Sequence, residues 1–432
     1  MLNRLRKTLW GDLTLDEFKR FGMLAITLLF IIGTYWLMRP LKDGLFVSIV
    51  GKLHLPMAKI LSFCLILPLV LIYAKLVDLV EKQKLFYILC SFYSGLFLVI
   101  TFLIMHPTIG LANTVASPKR ILGWVIYLAI ESFGSLLISL FWSFVASSTD
   151  TQTAKKGYGL IIFGAQIGSM TGPLLATNAR QFGIPLLTTF VAIGLAIVPV
   201  LIKIFITLFP FTAEITVSTK KKTSPAEGLK LLFTKNYLLG VLGISTLYEV
   251  VGTILDIQMK WLAADAFPST EGLTAFLGWF GFATNATTFL LALVGTSYFI
   301  RRFGLTFCLV TYPACVSFVV MAVWFFPQIW ILFCAMIAVK AISYALNNPC
   351  KEIMYIPTSK DVKFKAKSVI DMFGARSAKA AGSGIIGATV KTAAPLVYSS
   401  MISLAVIAVW ISAALYVGRK NKQLTDAGQI IE

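Results

Sequence analysis

The chain has 432 residues, of which 58% are hydrophobic and only 13% are charged. Soluble proteins carry about 25% charged residues, so the composition excludes a soluble enzyme and a soluble nucleic-acid-binding protein. The formal net charge of +19 therefore has to be interpreted from its position along a membrane protein.

Apolar runs of about 20 residues, the length of a helix that crosses a bilayer, recur along the whole chain. They predict an all-α membrane protein with twelve transmembrane helices. The predicted helices cover residues 20–42, 56–76, 85–106, 120–146, 157–178, 184–209, 237–262, 271–298, 303–326, 328–348, 366–390 and 395–417.

A polar, basic stretch separates the first six predicted helices from the last six. The predicted domains are an N-terminal six-helix half over 1–209, a cytoplasmic basic linker over 210–236 and a C-terminal six-helix half over 237–432. Two six-helix halves joined by such a linker match the architecture of major facilitator transporters. The sequence therefore predicts a major facilitator-like fold.

Lysines and arginines concentrate in alternate loops. The loops on the same side as the amino terminus hold 25 of these residues, whereas the opposite loops hold six. Because loops rich in lysine and arginine stay on the cytoplasmic side, both termini are predicted to be cytoplasmic.

Ionisable residues lie inside or at the ends of predicted helices one, four, seven and ten, which is the first helix of each three-helix unit. Charge at membrane depth is costly and usually marks a substrate path. The pattern predicts a central cavity, lined by one helix from each unit, that holds a charged solute. The residues are Lys42 with Asp43, Glu131, Asp256 with Lys260, and Lys351.

The charges of helices one and four have both functional and structural interpretations. Arg39, Lys42 and Asp43 are expected to close helix one. They are either cavity residues or a helix end whose long basic side chains reach the membrane interface. Glu131 lies in the middle of helix four, where it either serves a substrate or makes a structural hydrogen bond in the bundle.

Helix seven carries Glu249, Asp256 and Lys260 on one face, and the last two are four residues apart. That spacing allows an ion pair, which is either part of a substrate site or purely structural.

Helices ten and eleven add further charges. Asn347-Asn348-Pro349 is expected to end helix ten just before Lys351, because proline interrupts a helix. Lys351 is either a substrate residue or part of a positively charged helix stop. Asp371, Arg376 and Lys379 fall inside helix eleven, the last two three residues apart, and these three charges predict a hydrated, inward-facing surface.

Other kinds of site find little support. The two histidines form no ligand cluster and the six cysteines have no CxxC spacing, so neither a metal site nor a cofactor is predicted. No arrangement of a nucleophile with a base is visible, which favours a transporter over an enzyme.

Several motifs, in this order, resemble the nucleotide transporter family of ATP/ADP translocases of obligate intracellular bacteria and plastids. Arg39-x-x-Lys42-Asp43 resembles the R-x-x-K-D of its helix one, and the segment from Glu131 to Ser135 resembles its E-L-W-G-S. The most specific match is Pro349-Cys-Lys351-Glu352-Ile-Met-Tyr355-Ile-Pro357, which is similar to the family's D-P-x-K-E-M-A-Y-I-P-L-D.

The resemblance implies exchange of ATP and ADP by alternating access, in the inner (cell) membrane of a bacterium. It implies a nucleotide substrate and the lipid bilayer as partners, no nucleic acid, and no particular oligomeric state. The family's two lysines and two glutamates fall on Lys42, Glu131, Asp256 and Lys351, with aspartate in place of glutamate at Asp256 and Glu249 as the rival position. The candidate substrate-binding residues are Lys42, Glu131, Asp256, Lys351, Arg39, Asp43, Glu249, Lys260, Arg376 and Lys379.

Alternatives to exchange remain open at the level of the sequence. The nearest is a proton-coupled importer of nucleotides or another organic anion, with Glu131 or Asp256 as the protonation site. A membrane enzyme acting on a phosphorylated lipid or nucleotide, and a receptor without transport activity, are alternatives from other classes.

Overall fold

The computed structural model describes residues 13–149, 151–210, 232, 234–294 and 297–431. Nearly all of the described residues are helical, which confirms the predicted all-α class. The predicted linker over 210–236 lies almost wholly outside the described residues.

The helices follow one another closely along the chain. They are α1 (Leu15–Ile49), α2 (Leu55–Leu79), α3 (Lys82–Met105), α4 (Ile121–Ser148), α5 (Thr151–Thr177), α6 (Ala179–Leu208), α7 (Asn236–Ala266), α8 (Thr270–Val294), α9 (Ser297–Phe325), α10 (Ile329–Ile342), α11 (Asn348–Met354), α12 (Lys360–Val369), α13 (Ala375–Thr389) and α14 (Pro395–Asp426). Within the described part of the chain, nine helices are long and apolar enough to cross a membrane: α1 to α7, α9 and α14. The chain is thus a multi-pass membrane protein.

Helix α1 extends further than the sequence predicts. It begins at a capping box, in which the Thr14 hydroxyl accepts from the Glu17 N–H and the Glu17 carboxylate accepts from the Thr14 N–H. It continues through Pro40 to Ile49. The prediction that Arg39 to Asp43 closes this helix is therefore wrong. Four apolar residues that follow Pro40 in this helix are buried: Leu41, Leu45, Phe46 and Ile49. Their packing compensates for the hydrogen bond that the proline removes.

The helical path around Lys351 is also longer than predicted. A π-helical segment over Ser343–Asn347 connects α10 directly to α11, so the prediction that Asn347-Asn348-Pro349 ends the helix is wrong. Pro349 follows this segment in the first turn of α11, and its missing N–H cannot donate to the preceding turn. A second π-helical segment, Ile370–Gly374, connects α12 to α13.

The described residues group into two compact units. The first lies within Met1–Lys52, Cys64–Ser218 and Phe267–Asn285. The second lies within Leu53–Phe63, Thr219–Ala266 and Ala286–Glu432. Lys42 and Glu131 therefore belong to the first unit, and Asp256 and Lys351 belong to the second.

In the first unit, three glycines of α5 bring its backbone against α1. A Cβ atom on Gly164, Gly168 or Gly172 would meet backbone atoms of α1, including the carbonyl oxygens of Ala25 and Leu29. This confirms the close packing that small residues four apart predict in a membrane helix. This contact holds α1, the helix that carries Lys42, against α5.

In the second unit, hydrogen bonds hold the segment after Lys351. The Tyr237 hydroxyl donates to the Met354 carbonyl at 2.6 Å and accepts from the Asn421 amide at 2.8 Å, which joins α7, α11 and α14. Thr358 also forms a parallel β-bridge with Ile431. Both ends of the loop after α11 are therefore fixed.

Two glycines break the helical backbone in the same way. Gly183 near the start of α6 has φ 72° and ψ 157°, and Gly304 in α9 has φ 78° and ψ 165°. Only glycine adopts this region readily. Each ends the same short motif, Arg180-Gln-Phe-Gly183 and Arg301-Arg-Phe-Gly304.

We expect Gly304→Ala to destabilise the protein by about 1–3 kcal/mol, because alanine cannot adopt this backbone without strain. A Cβ at Gly304 would meet no atom within 4 Å, so the effect is purely conformational. The matched control is Gly159→Ala in α5, where a Cβ also meets nothing within 4 Å but the backbone is helical. Thermal unfolding in detergent should show a lower midpoint for Gly304→Ala only; equal midpoints would contradict the expectation.

Candidate functional site

The charged residues of α1 and α4 meet in the first unit. The Lys42 ammonium donates a hydrogen bond to Glu131 Oε1, and its Nζ lies 3.8 Å from Asp43 Oδ1. Lys42 and Asp43 are only 5% and 6% exposed, whereas the Glu131 side chain is 31% exposed. Because a buried charge is stable only with a partner, the carboxylates keep Lys42 charged inside the helix bundle.

Aromatic rings surround the basic residues of this group. The Lys42 Nζ lies 4.2 Å from the centroid of the Tyr127 ring, which is one helical turn before Glu131 on α4. The Arg39 guanidinium lies 4.6 Å from the Trp36 ring on α1. These distances fall within the range of cation–π attraction.

In the second unit, two lysines bind one carboxylate. Asp256 Oδ2 accepts from Lys260 Nζ at 2.8 Å and from Lys59 Nζ at 2.7 Å. The first contact is the predicted ion pair within α7. The second was not predicted from the sequence, although Lys59 lies inside the predicted helix 56–76. Its position inside the apolar helix α2 is the signal that could have identified it.

Glu249 has a different partner from Asp256. Its Oε2 lies 3.7 Å from the Nζ of Lys379 on α13, whose side chain is 56% exposed. The structure therefore brings α7 and α13 together through this pair. The two acidic positions that the sequence left open belong to separate ion pairs.

Lys351 lies over an aromatic ring of α7. Its Nζ is 4.9 Å from the centroid of Tyr248, the residue before Glu249. π-helical turns within helices often occur at functional sites, and the π-helical segments before α11 and before α13 adjoin Lys351 and Arg376 respectively. Arg376 is half-buried on α13.

The arrangement suits binding of an anion. Lysine and arginine are the side chains that bind phosphate. Six of them described above contact a carboxylate or an aromatic ring: Arg39, Lys42, Lys59, Lys260, Lys351 and Lys379. Among the described residues, no group of three or more histidine, cysteine, aspartate or glutamate side chains is placed to hold a metal ion.

Comparisons of the chain with family models and with known proteins agree on one protein family. The family model described as TLC ATP/ADP transporter matches residues 1–333 and 328–421. The chain is 24% identical to ADP,ATP carrier protein 1 of Rickettsia prowazekii, over 99% of this chain and 98% of that protein. It is 27% identical to ADP,ATP carrier protein 1 of Chlamydia muridarum, over 95% of this chain and 90% of that protein.

A solved structure shares the fold. A bacterial homologue of the iron transporter ferroportin, in an inward-facing state, is similar with a TM-score of 0.67 and 14% identity, over 92% of this chain and 98% of that chain. At this identity the likeness concerns the fold alone.

Proposed function

The chain belongs to the TLC ATP/ADP transporter family, and we propose that it exchanges ATP for ADP across a membrane by alternating access. The observation that carries the proposal is the Lys42–Glu131 pair, a buried cation held by a partly exposed carboxylate within the helix bundle. A substrate phosphate can replace the carboxylate as the partner of such a cation. The names of the similar carriers from Rickettsia and Chlamydia support ADP and ATP as the substrates.

The proposed architecture has twelve transmembrane helices in two halves, 1–209 and 237–432, joined by the linker 210–236. The fold shared with the bacterial ferroportin homologue supports it. The distribution of lysine and arginine supports cytoplasmic termini, and the bacterial carriers support the inner (cell) membrane as the location.

In the proposed mechanism, Lys42 and Lys351 bind the phosphates of the nucleotide. Arg39 adds positive charge in the first unit, and Arg376 and Lys379 add it in the second. When no substrate is bound, Glu131 neutralises Lys42. Substrate entry releases this pair and substrate loss restores it.

Asp256 has a similar role toward the lysines that it contacts. Its carboxylate accepts from both Lys59 and Lys260, so a nucleotide phosphate that draws either ammonium away has to compete with Asp256. Asp43 and Glu249 balance the charge of Lys42 and Lys379 in the same manner.

The ion pairs also explain why exchange is favoured over one-way transport. Leaving one member of a buried ion pair without its partner costs about 3–5 kcal/mol. An empty carrier that changes conformation has to rearrange these pairs without a phosphate to replace the carboxylate. Bound nucleotide removes that penalty, so the loaded carrier crosses faster than the empty one.

Reconstitution in liposomes tests the proposal. We expect labelled ATP to enter vesicles loaded with ADP at least about tenfold faster than it enters empty vesicles. A difference of ~1.4 kcal/mol between the barriers for the loaded and the empty carrier already gives that ratio. Equal uptake into loaded and empty vesicles would contradict exchange. Uptake into empty vesicles that collapses with an uncoupler would instead indicate proton-coupled import.

A further inference from the structure

Both lysines proposed to bind phosphate lie over a tyrosine ring. Lys42 Nζ is 4.2 Å from the Tyr127 centroid in the first unit, and Lys351 Nζ is 4.9 Å from the Tyr248 centroid in the second. We infer that Tyr127 and Tyr248 are positioning residues that hold these two ammonium groups ready for the nucleotide phosphates. The inference rests on the proposed function and adds to it two residues that do not themselves bind phosphate.

The Tyr127 ring is held by its neighbours. It is fully buried and packs edge-on against Phe46 of α1, with centroids 5.1 Å apart. Phe46 in turn packs edge-on against Trp124, also at 5.1 Å. The ring beneath Lys42 is thus fixed by an aromatic cluster from α1 and α4, and its face cannot turn away when the ion pair rearranges.

The Tyr248 ring has equivalent support from different helices. It packs against Tyr312 of α9 at 5.7 Å and against Trp410 of α14 at 6.2 Å. Tyr312 and Trp410 contact each other at 5.4 Å and are buried. The second unit therefore also places a lysine over a fixed tyrosine ring, although different residues support that ring.

An aromatic face suits a lysine that has to change partners. The ring attracts the ammonium through its quadrupole, and it carries neither a net charge nor an exchangeable proton on that face. A lysine ammonium has three donors, so the N–H groups that point away from the ring can move from carboxylate to phosphate. The ring keeps the ammonium in place during that change, which reduces the freedom that the flexible lysine loses on binding.

Fluorinated phenylalanine separates this role from simple packing. Tyr127→Phe and Tyr248→Phe keep the electron-rich face and should leave the KM for ATP within about twofold. Trifluorinated phenylalanine at either position keeps the shape but removes most of the attraction for a cation. It should raise the KM for ATP exchange by about 5- to 30-fold with kcat nearly unchanged, the range expected for a desolvated cation–π contact.

The control is trifluorinated phenylalanine at Phe86, a buried ring that packs against the Phe144 ring. It should leave the KM unchanged. Thermal unfolding compares each fluorinated variant with its phenylalanine counterpart, so that a folding defect is recognised separately. If wild-type protein exchanges ATP and the fluorinated variants match the phenylalanine variants, the inference is overturned. If wild-type protein does not exchange nucleotides at all, the proposed function itself fails.

Discussion

Lys42→Ala is expected to slow ATP–ADP exchange by about 100-fold, because removal of one member of a buried, hydrogen-bonded charge pair costs 2–5 kcal/mol. The substitution removes the proposed phosphate ligand and leaves the Glu131 carboxylate without the ammonium that it accepts from. The carboxylate then also repels the incoming phosphates. Initial rates of labelled ATP uptake into ADP-loaded liposomes measure the effect.

Lys84→Ala is the matched control for this experiment. Lys84 also contacts a carboxylate, that of Glu81 at 3.3 Å, but its side chain is 61% exposed. Exposed ion pairs contribute about 0–1 kcal/mol, so this variant should exchange at nearly the wild-type rate. A folded Lys42→Ala protein with wild-type uptake would remove Lys42 from the site.

Asp256→Ala is expected to lower the free energy of unfolding by about 3–5 kcal/mol, the usual effect of leaving a buried charge without its partner. The Asp256 carboxylate holds two ammonium groups, and the side chains of Lys59 and Lys260 are only 18% and 8% exposed. Without this carboxylate, the positive charges of Lys59 and Lys260 are no longer neutralised by Asp256 and repel each other. The midpoint of thermal unfolding in detergent should fall.

Two further variants test whether the loss of stability comes from the two lysines that Asp256 neutralises. Glu249→Ala should cost less than about 1 kcal/mol, because its partner Lys379 is largely exposed and can be hydrated. Replacing Lys59 and Lys260 with methionine in the Asp256→Ala background should restore much of the lost stability, since apolar side chains of similar length need no counter-charge. Equal destabilisation by Asp256→Ala and Glu249→Ala would contradict this distinction between the two carboxylates.

Hydrophobic run length was a good guide to the helices and a poor guide to their ends. Lys42 was placed at the close of a helix, but it lies inside α1 with seven residues still to follow. The buried residues after Pro40 continue the helix, and their burial depends on neighbours that are distant in sequence. The π-helical segments are unpredictable for the same reason, since nothing local distinguishes Ser343–Asn347 from an α-helix.

The contacts of the candidate site also fall into those that the sequence predicts and those that it does not. Contacts within one helix, such as Asp256 with Lys260, follow from a spacing of four residues. Contacts between helices, such as Lys42 with Tyr127 or Asp256 with Lys59, require knowledge of which faces meet. Family motifs selected Lys42 and Glu131 separately, and only the structure shows that they contact each other.

The repeated break at Gly183 and Gly304 gives two runs of three helices a common reference point along the chain. Each glycine lies near the start of the third helix of a run of three, α4 to α6 and α7 to α9, and each ends an Arg-x-Phe-Gly motif. Counted back from these glycines, Glu131 is 52 residues upstream (183 − 131) and Asp256 is 48 (304 − 256). The difference is about one helical turn. Measured from its glycine, each acidic side chain therefore lies within about one helical turn of the same register in the first helix of its run.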